Sequence, residues 1–117
     1  MDLELQKTLF SLLETLEFPF YEGIKDETYP YGAIGHSTTE PLNTKTSNGY
    51  RAYYQINLYS TYNGTKEVKT MANAVTDVLT APFFVADKQC IVDGWSFRTQ
   101  QEDHIQHGIL EINFKIY

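Results

Sequence analysis

A change of period inside residues 50–79 constrains this chain more than any other feature. From Tyr50 to Tyr62 the even positions Tyr50, Ala52, Tyr54, Ile56 and Leu58 are apolar, and the odd positions Arg51, Gln55, Asn57 and Thr61 are mostly polar. Alternation with period two predicts a strand with one face on a core and one face outward. Asn63-Gly64 breaks it. From Thr65 the spacing becomes helical, with Val68, Met71, Ala72, Val75, Val78 and Leu79 on one stripe. A strand, a turn and an amphipathic helix cannot bury that stripe alone, so the flanking segments must supply more sheet.

They read as follows. Leu5, Leu9, Leu12, Leu13 and Leu16 line one face of an opening helix that Asp2 can cap and that Phe18-Pro19 ends. Phe20 to Pro30 is rich in turn formers and predicts a connection. Tyr31 to His36 predicts a short strand whose Gly32 and Gly35 mark a bulge or a close backbone approach. Residues 37–49 are polar, with Pro41 and Gly49, and predict a flexible loop between two strands.

After the helix, Phe83-Phe84-Val85 is expected to tuck under the sheet. Asp87 to Thr99 predicts a strand in which Cys90 and Val92 share one parity and Trp95 and Phe97 the other. A bulge at Asp93-Gly94 would bring all four to the core side. Gln100 to Gln106 is a polar link. Leu110, Ile112, Phe114 and Ile116 then alternate with Glu111, Asn113, Lys115 and Tyr117 in a closing strand. The order α-β-β-α-β-β predicts an α+β fold: a mainly antiparallel four-stranded sheet with two helices packed on one face. The 117 residues fit one domain, 1–117.

No apolar run reaches the ~18 residues of a membrane span, and the start lacks the basic-then-apolar order of a signal peptide, so a soluble protein without membrane contact is expected. Cys90 is the one cysteine, which excludes an internal disulfide and a thiolate metal cluster. The net charge of -6 falls largely on residues 1–27 and makes the chain a poor ligand for nucleic-acid phosphates. Asp103-His104-Ile105-Gln106-His107 is the one cluster suggesting chemistry, but its two histidines sit in a turn and at a strand start, and a third ligand is missing. With no nucleophile elbow or phosphate-binding glycine loop, no catalytic residue, metal or cofactor is expected. What stands out is the outward sheet face, where Tyr53, Tyr59, Ile109 and Tyr117 give the mixed aromatic and polar surface of a protein contact.

Several segments together resemble the tail-completion, or tail-terminator, proteins of long-tailed bacteriophages. They are the leucine-rich opening helix, Tyr29-Pro30-Tyr31 entering a strand, and Tyr54-Gln55-Ile56-Asn57-Leu58-Tyr59 after a polar loop. The helix Lys66 to Leu79 and the closing His107-to-Tyr117 strand complete the set. The resemblance implies a structural virion protein, made in the host cytoplasm, that forms a hexameric ring on the finished tail tube. The ring would end tube polymerisation and join the head connector or stopper protein, with DNA only passing through its lumen. Under that reading Tyr53, Tyr59, Ile109 and Tyr117 form the subunit interface, and Thr38, Thr39, Asn43, Lys45 and Asn48 dock on the tail tube protein. A head-completion or stopper protein is the neighbouring alternative. A small ligand-binding α+β domain centred on His36, His104 and His107, or an interaction module of a cellular regulator, are the others.

Overall fold

The computed structural model describes residues 3–22, 29–41 and 49–117. Its elements are α1 (Leu3–Leu13), β1 (Phe20–Glu22), β2 (Tyr31–Pro41), β3 (Tyr50–Ser60), α2 (Lys66–Leu79), β4 (Phe83–Val85), β5 (Lys88–Glu102) and β6 (Ile105–Ile116). They build one curled, half-barrel sheet of six strands in the order β1-β2-β3-β6-β5-β4. β1 runs parallel to β2, and every other neighbour is antiparallel.

This corrects the expected four-stranded antiparallel sheet. The two additional strands are three residues long, too short to show alternation, and each caps an edge. Phe20–Glu22, expected as connection, pairs with Gly32–Ile34. Phe83–Val85, expected beneath the sheet, pairs with Lys88–Cys90 instead, and Phe84 points out at 66% exposure. β2 also continues five residues past His36, because Ser37 to Pro41 pair with Tyr54 to Tyr50 although no described residue buries their side chains. β5 likewise runs through the expected polar link to the turn Asp103-His104.

The core lies on the helix-bearing face. α1 contributes Leu5, Leu9 and Leu13, and α2 contributes Val68, Met71, Ala72, Val75 and Leu79. They meet Ala52, Tyr54, Ile56 and Leu58 of β3 and Leu110, Ile112, Phe114 and Ile116 of β6. Burying a Leu, Ile or Val fully is worth on the order of 1.5–3 kcal/mol, so these central stripes hold the fold. The start of α2 is also tied to β3, where the Ser60 hydroxyl donates to Glu67 Oε1 at 2.5 Å. The proposed cap Asp2 lies outside the described residues.

Both irregularities expected from the sequence occur. The β2–β3 register shifts between Ile34 and Ser37, beside Gly35. The β5–β6 register shifts between Val92 and Gly94, and places Trp95 opposite Ile112 and Phe97 opposite Leu110. Gly32 is a close approach: a Cβ there would stand 2.5 Å from the Phe20 ring. Trp95 differs from expectation in one respect. It shares the parity of the core but lies beside α2 rather than beneath it, and is 53% exposed.

Candidate assembly surface

The sheet face opposite the helices is built from odd positions of β3 and β6. In register, Tyr53 stands opposite Asn113, Gln55 opposite Glu111, Asn57 opposite Ile109 and Tyr59 opposite His107. The face divides into a covered end and an open end.

At the covered end, Tyr59 is 6% exposed. Its ring stacks on Tyr31 at 4.8 Å between centroids and on His107 at 4.5 Å. Tyr21 and Tyr29 pack on Tyr31 from the β1 side, at 5.7 and 5.4 Å. Burial, with the neighbouring tyrosines and Glu102 adding to it, pushes the Tyr59 phenol up to about 12, so it stays neutral. Beside this aromatic row His107 bridges two oxygens. Nδ1 lies 3.0 Å from Glu102 Oε2, and Nε2 lies 2.8 Å from Asn57 Oδ1, which also accepts from Gln55 Nε2 at 3.0 Å. Asn57 is itself buried, and its Oδ1 is satisfied by this network.

At the open end, Tyr53 is half-buried, edge-on to the His36 ring at 6.1 Å. Its phenol is raised by partial burial, by the Glu111 charge and by a hydrogen bond to Glu111, against an opposing effect of Arg98. Arg98 in turn pairs with Glu111 at 2.6 Å. Tyr117 is 51% exposed, and exchanges both backbone hydrogen bonds with Gln89, the register partner of Phe84. Phe84 and Tyr117 thus flank one residue, both exposed.

Of the four residues expected to form a contact face, Tyr53 and Tyr117 reach solvent, whereas Tyr59 and Ile109 are buried by the chain's own residues. Parity placed all four on one face correctly. It could not show that Tyr31 and His107 would stack on Tyr59 from either side. Thr38 and Thr39 lie exposed in β2, not in a loop. Asn43, Lys45 and Asn48 lie outside the described residues.

Among the described residues the three histidines do not converge. His36 stands against Tyr53, His107 against Tyr59, and His104 is exposed in the β5–β6 turn. Among the described residues no three His, Cys, Asp or Glu side chains gather as a metal site. Cys90 is fully buried, and burial pushes its thiol up to about 12, which removes the thiolate needed for nucleophilic attack. A groove of about 340 Å³ between the end of α1 and α2 is lined by Leu16, Phe18, Met71 and Ala74, and Glu17 and Glu67 are its charged groups.

The chain matches the family model described as tail completion protein gp17 over residues 11–117. Among solved structures it is similar to the bacteriophage SPP1 gp17 protein, with 24% identity and a TM-score of 0.67, covering 97% of this chain and 88% of that one. It is also similar to a chain in the virion of a native gene transfer agent particle, with 20% identity and a TM-score of 0.62, again covering 97% and 88%. At these identities the structural likeness is one of fold. No curated protein matches the chain by sequence. With residues 11–117 under one family model, the chain belongs to the tail completion protein gp17 family, and its role is a structural one in a phage tail.

Proposed function

We propose that this protein closes a finished tail tube as a ring of identical copies, six in number. One side of the ring stops further tube subunits from adding, and the other receives the head connector or stopper protein. The family membership carries this reading: completing a tail requires a part that binds the tube end and does not propagate it. The work is association alone. A ring needs a heterologous contact, in which one patch of each copy meets a different patch of the next and the rotation closes.

The open end of the outer face is the surface proposed for assembly contacts, with Tyr53 and Tyr117 as the residues that reach a neighbour. Tyr59 and Ile109 support that surface from beneath. Thr38 and Thr39, together with residues 42–48, are proposed to dock on the tail tube protein. The acidic surplus would let DNA pass through the lumen without adhering.

The test is electron microscopy of particles made without this protein, beside purified tail tubes mixed with it. Overlong or headless tails in the first, and capped tubes in the second, are expected. Heads that leak DNA, joined to no tail of abnormal length, would assign the chain to the stopper position instead. A protein that stays a strict monomer and leaves tube ends free would overturn the reading.

A further inference from the structure

Among the described residues the six-stranded sheet has two long open edges, because its two capping strands are short. β4 covers the outer side of β5 only over Lys88–Cys90; from Ile91 to Glu102 β5 pairs with β6 on its inner side, and no strand among the described residues pairs with its outer side. Past Cys90 no residue of β5 is buried. At the other side β1 pairs with β2 over Gly32–Ile34, and among the described residues no strand pairs with the outer side of β2 from Gly35 to Pro41, which are exposed. Unpaired edges of this kind are templates for another strand, and proteins blunt them with charge, proline or twist. From Trp95 to Gln101 the β5 edge carries a single charge, Arg98, and no proline.

The hydrogen-bond phase shows which groups each edge offers. Gln89 and Tyr117 exchange both backbone bonds, and in an antiparallel pair such bonds recur at every second residue. Carried through the register, Gly94, Ser96, Arg98 and Gln100 bond to β6. Trp95, Phe97, Thr99 and Gln101 therefore turn N–H and C=O to the open side. The same phase passed through β6 and β3 leaves Ser37 and Thr39 turned outward from β2.

The two edges suit each other. Three antiparallel steps separate β2 from β5, so the strands run in opposite directions. A copy related by rotation about an axis along the strands then brings its β2 edge antiparallel to the β5 edge. Ser37 is opposite the core residue Tyr54, and Phe97 is opposite the core residue Leu110, so the outward-turned residues of both edges carry their side chains on the helix-bearing face. Bonded antiparallel pairs share a face, so the helices of adjoining copies stay on one side, as a ring requires.

We infer that neighbouring copies of this chain join by strand pairing, the Trp95–Gln101 edge of one copy bonding to the Ser37–Thr39 edge of the next. This rests on the ring reading; it moves the copy-to-copy contact to the strand edges, uses only the backbone of Ser37 and Thr39, and leaves the Tyr53 and Tyr117 face and the threonine side chains for other tail components.

The experiment uses the full chain with purified tail tubes, and reads ring formation by electron microscopy and amide exchange by mass spectrometry. In rings, the outward amides of Trp95, Phe97, Thr99 and Gln101 should exchange at least about tenfold more slowly than in the free chain. Thr99→Pro removes an outward N–H without removing a bond to β6, so it should stay folded and fail to form rings, while Thr99→Val forms them normally. If Thr99→Pro does not fold, the exchange comparison on the unaltered chain decides alone. Rings that form with the β5 edge unprotected would overturn the strand pairing and leave the ring reading standing. No rings from the unaltered chain would overturn both.

Discussion

The ring of Tyr59 lies nearly parallel to the imidazole of His107, with centroids 4.5 Å apart and planes 17° apart. The same ring covers Tyr31 on its other side, so a residue on the face without helices is as buried as a core residue. Tyr59→Ala should therefore cost about 3 kcal/mol, in the range of large-to-small core substitutions. Tyr53→Ala, at a half-buried position, should cost less than about 1 kcal/mol. Urea denaturation of the two variants checks this. Equal losses would mean that the aromatic row is not a packed unit. Tyr59→Asp is accordingly a folding mutation, and Tyr53→Asp is the variant that tests assembly.

The neighbour of this stack titrates. The hydrogen bond from His107, first among the causes, holds the Glu102 carboxyl below its usual 4.5. A carboxyl whose folded value is depressed contributes stability that is present above its unfolded value and lost as pH falls through the folded one. Glu102 is exposed, so the contribution should stay under about 1 kcal/mol. Glu102→Gln should lower stability at pH 6 by that small amount and have no effect once the pH is well below 4. A difference that persists unchanged at the lowest pH would show that the carboxylate charge is not the source.

Two backbone positions should respond in opposite directions. A Cβ at Gly108 would stand 2.9 Å from the Phe97 ring and 3.4 Å from Val68, beneath α2. Gly108→Val should cost about 2 kcal/mol by overpacking. Ala86 occupies a left-handed conformation, φ 55°, in the turn between β4 and β5. Ala86→Gly should raise stability by up to about 1 kcal/mol, since glycine takes that conformation without strain. Thermal unfolding of both variants checks the signs.

The parts legible in the sequence were those with a long period. The stripe of α2, the alternation of β3 and β6, and the bulge that reconciles Val92 with Trp95 all follow from spacing, because each repeats over several residues. β1 and β4 were not legible. Phe20-Tyr21-Glu22 has no period to read, and Gly32, opposite it, leaves the room that the Phe20 ring takes. The candidate surface was half legible for the same reason. Parity puts Tyr53 and Tyr59 on one face, but the cover over Tyr59 comes from Tyr31 and His107, whose strands are brought beside it by tertiary pairing. Ser37 to Pro41 looked like a loop because their side chains bury nothing. A strand held mainly by its backbone bonds leaves no hydrophobic signature.

Cys90 gives a direct probe of the core. Its thiol is fully buried and pushed up to about 12. In the folded protein at pH 8 it should react with a thiol reagent at least about a hundredfold more slowly than in 6 M urea, because attack requires an exposed thiolate. Fast labelling of the native chain would show that the β4 end of the sheet opens readily.

Trp95 is the only tryptophan in the chain, and it sits on the open edge of β5 at 53% exposure. Its flanks are Phe97 and the Lys69, Asn73 and Thr76 side of α2, which leave one side of the indole in water. In the free chain its emission should be that of a solvent-exposed indole, quenched readily by iodide. A strand added along β5 would bring backbone and side chains over that exposed side. Assembly should then shift the emission to shorter wavelength and reduce quenching by at least about twofold, since burial removes the indole from water. The same shift should be absent for Thr99→Pro mixed with tubes. Because one residue reports the whole signal, an unchanged spectrum on assembly would place the contact away from β5.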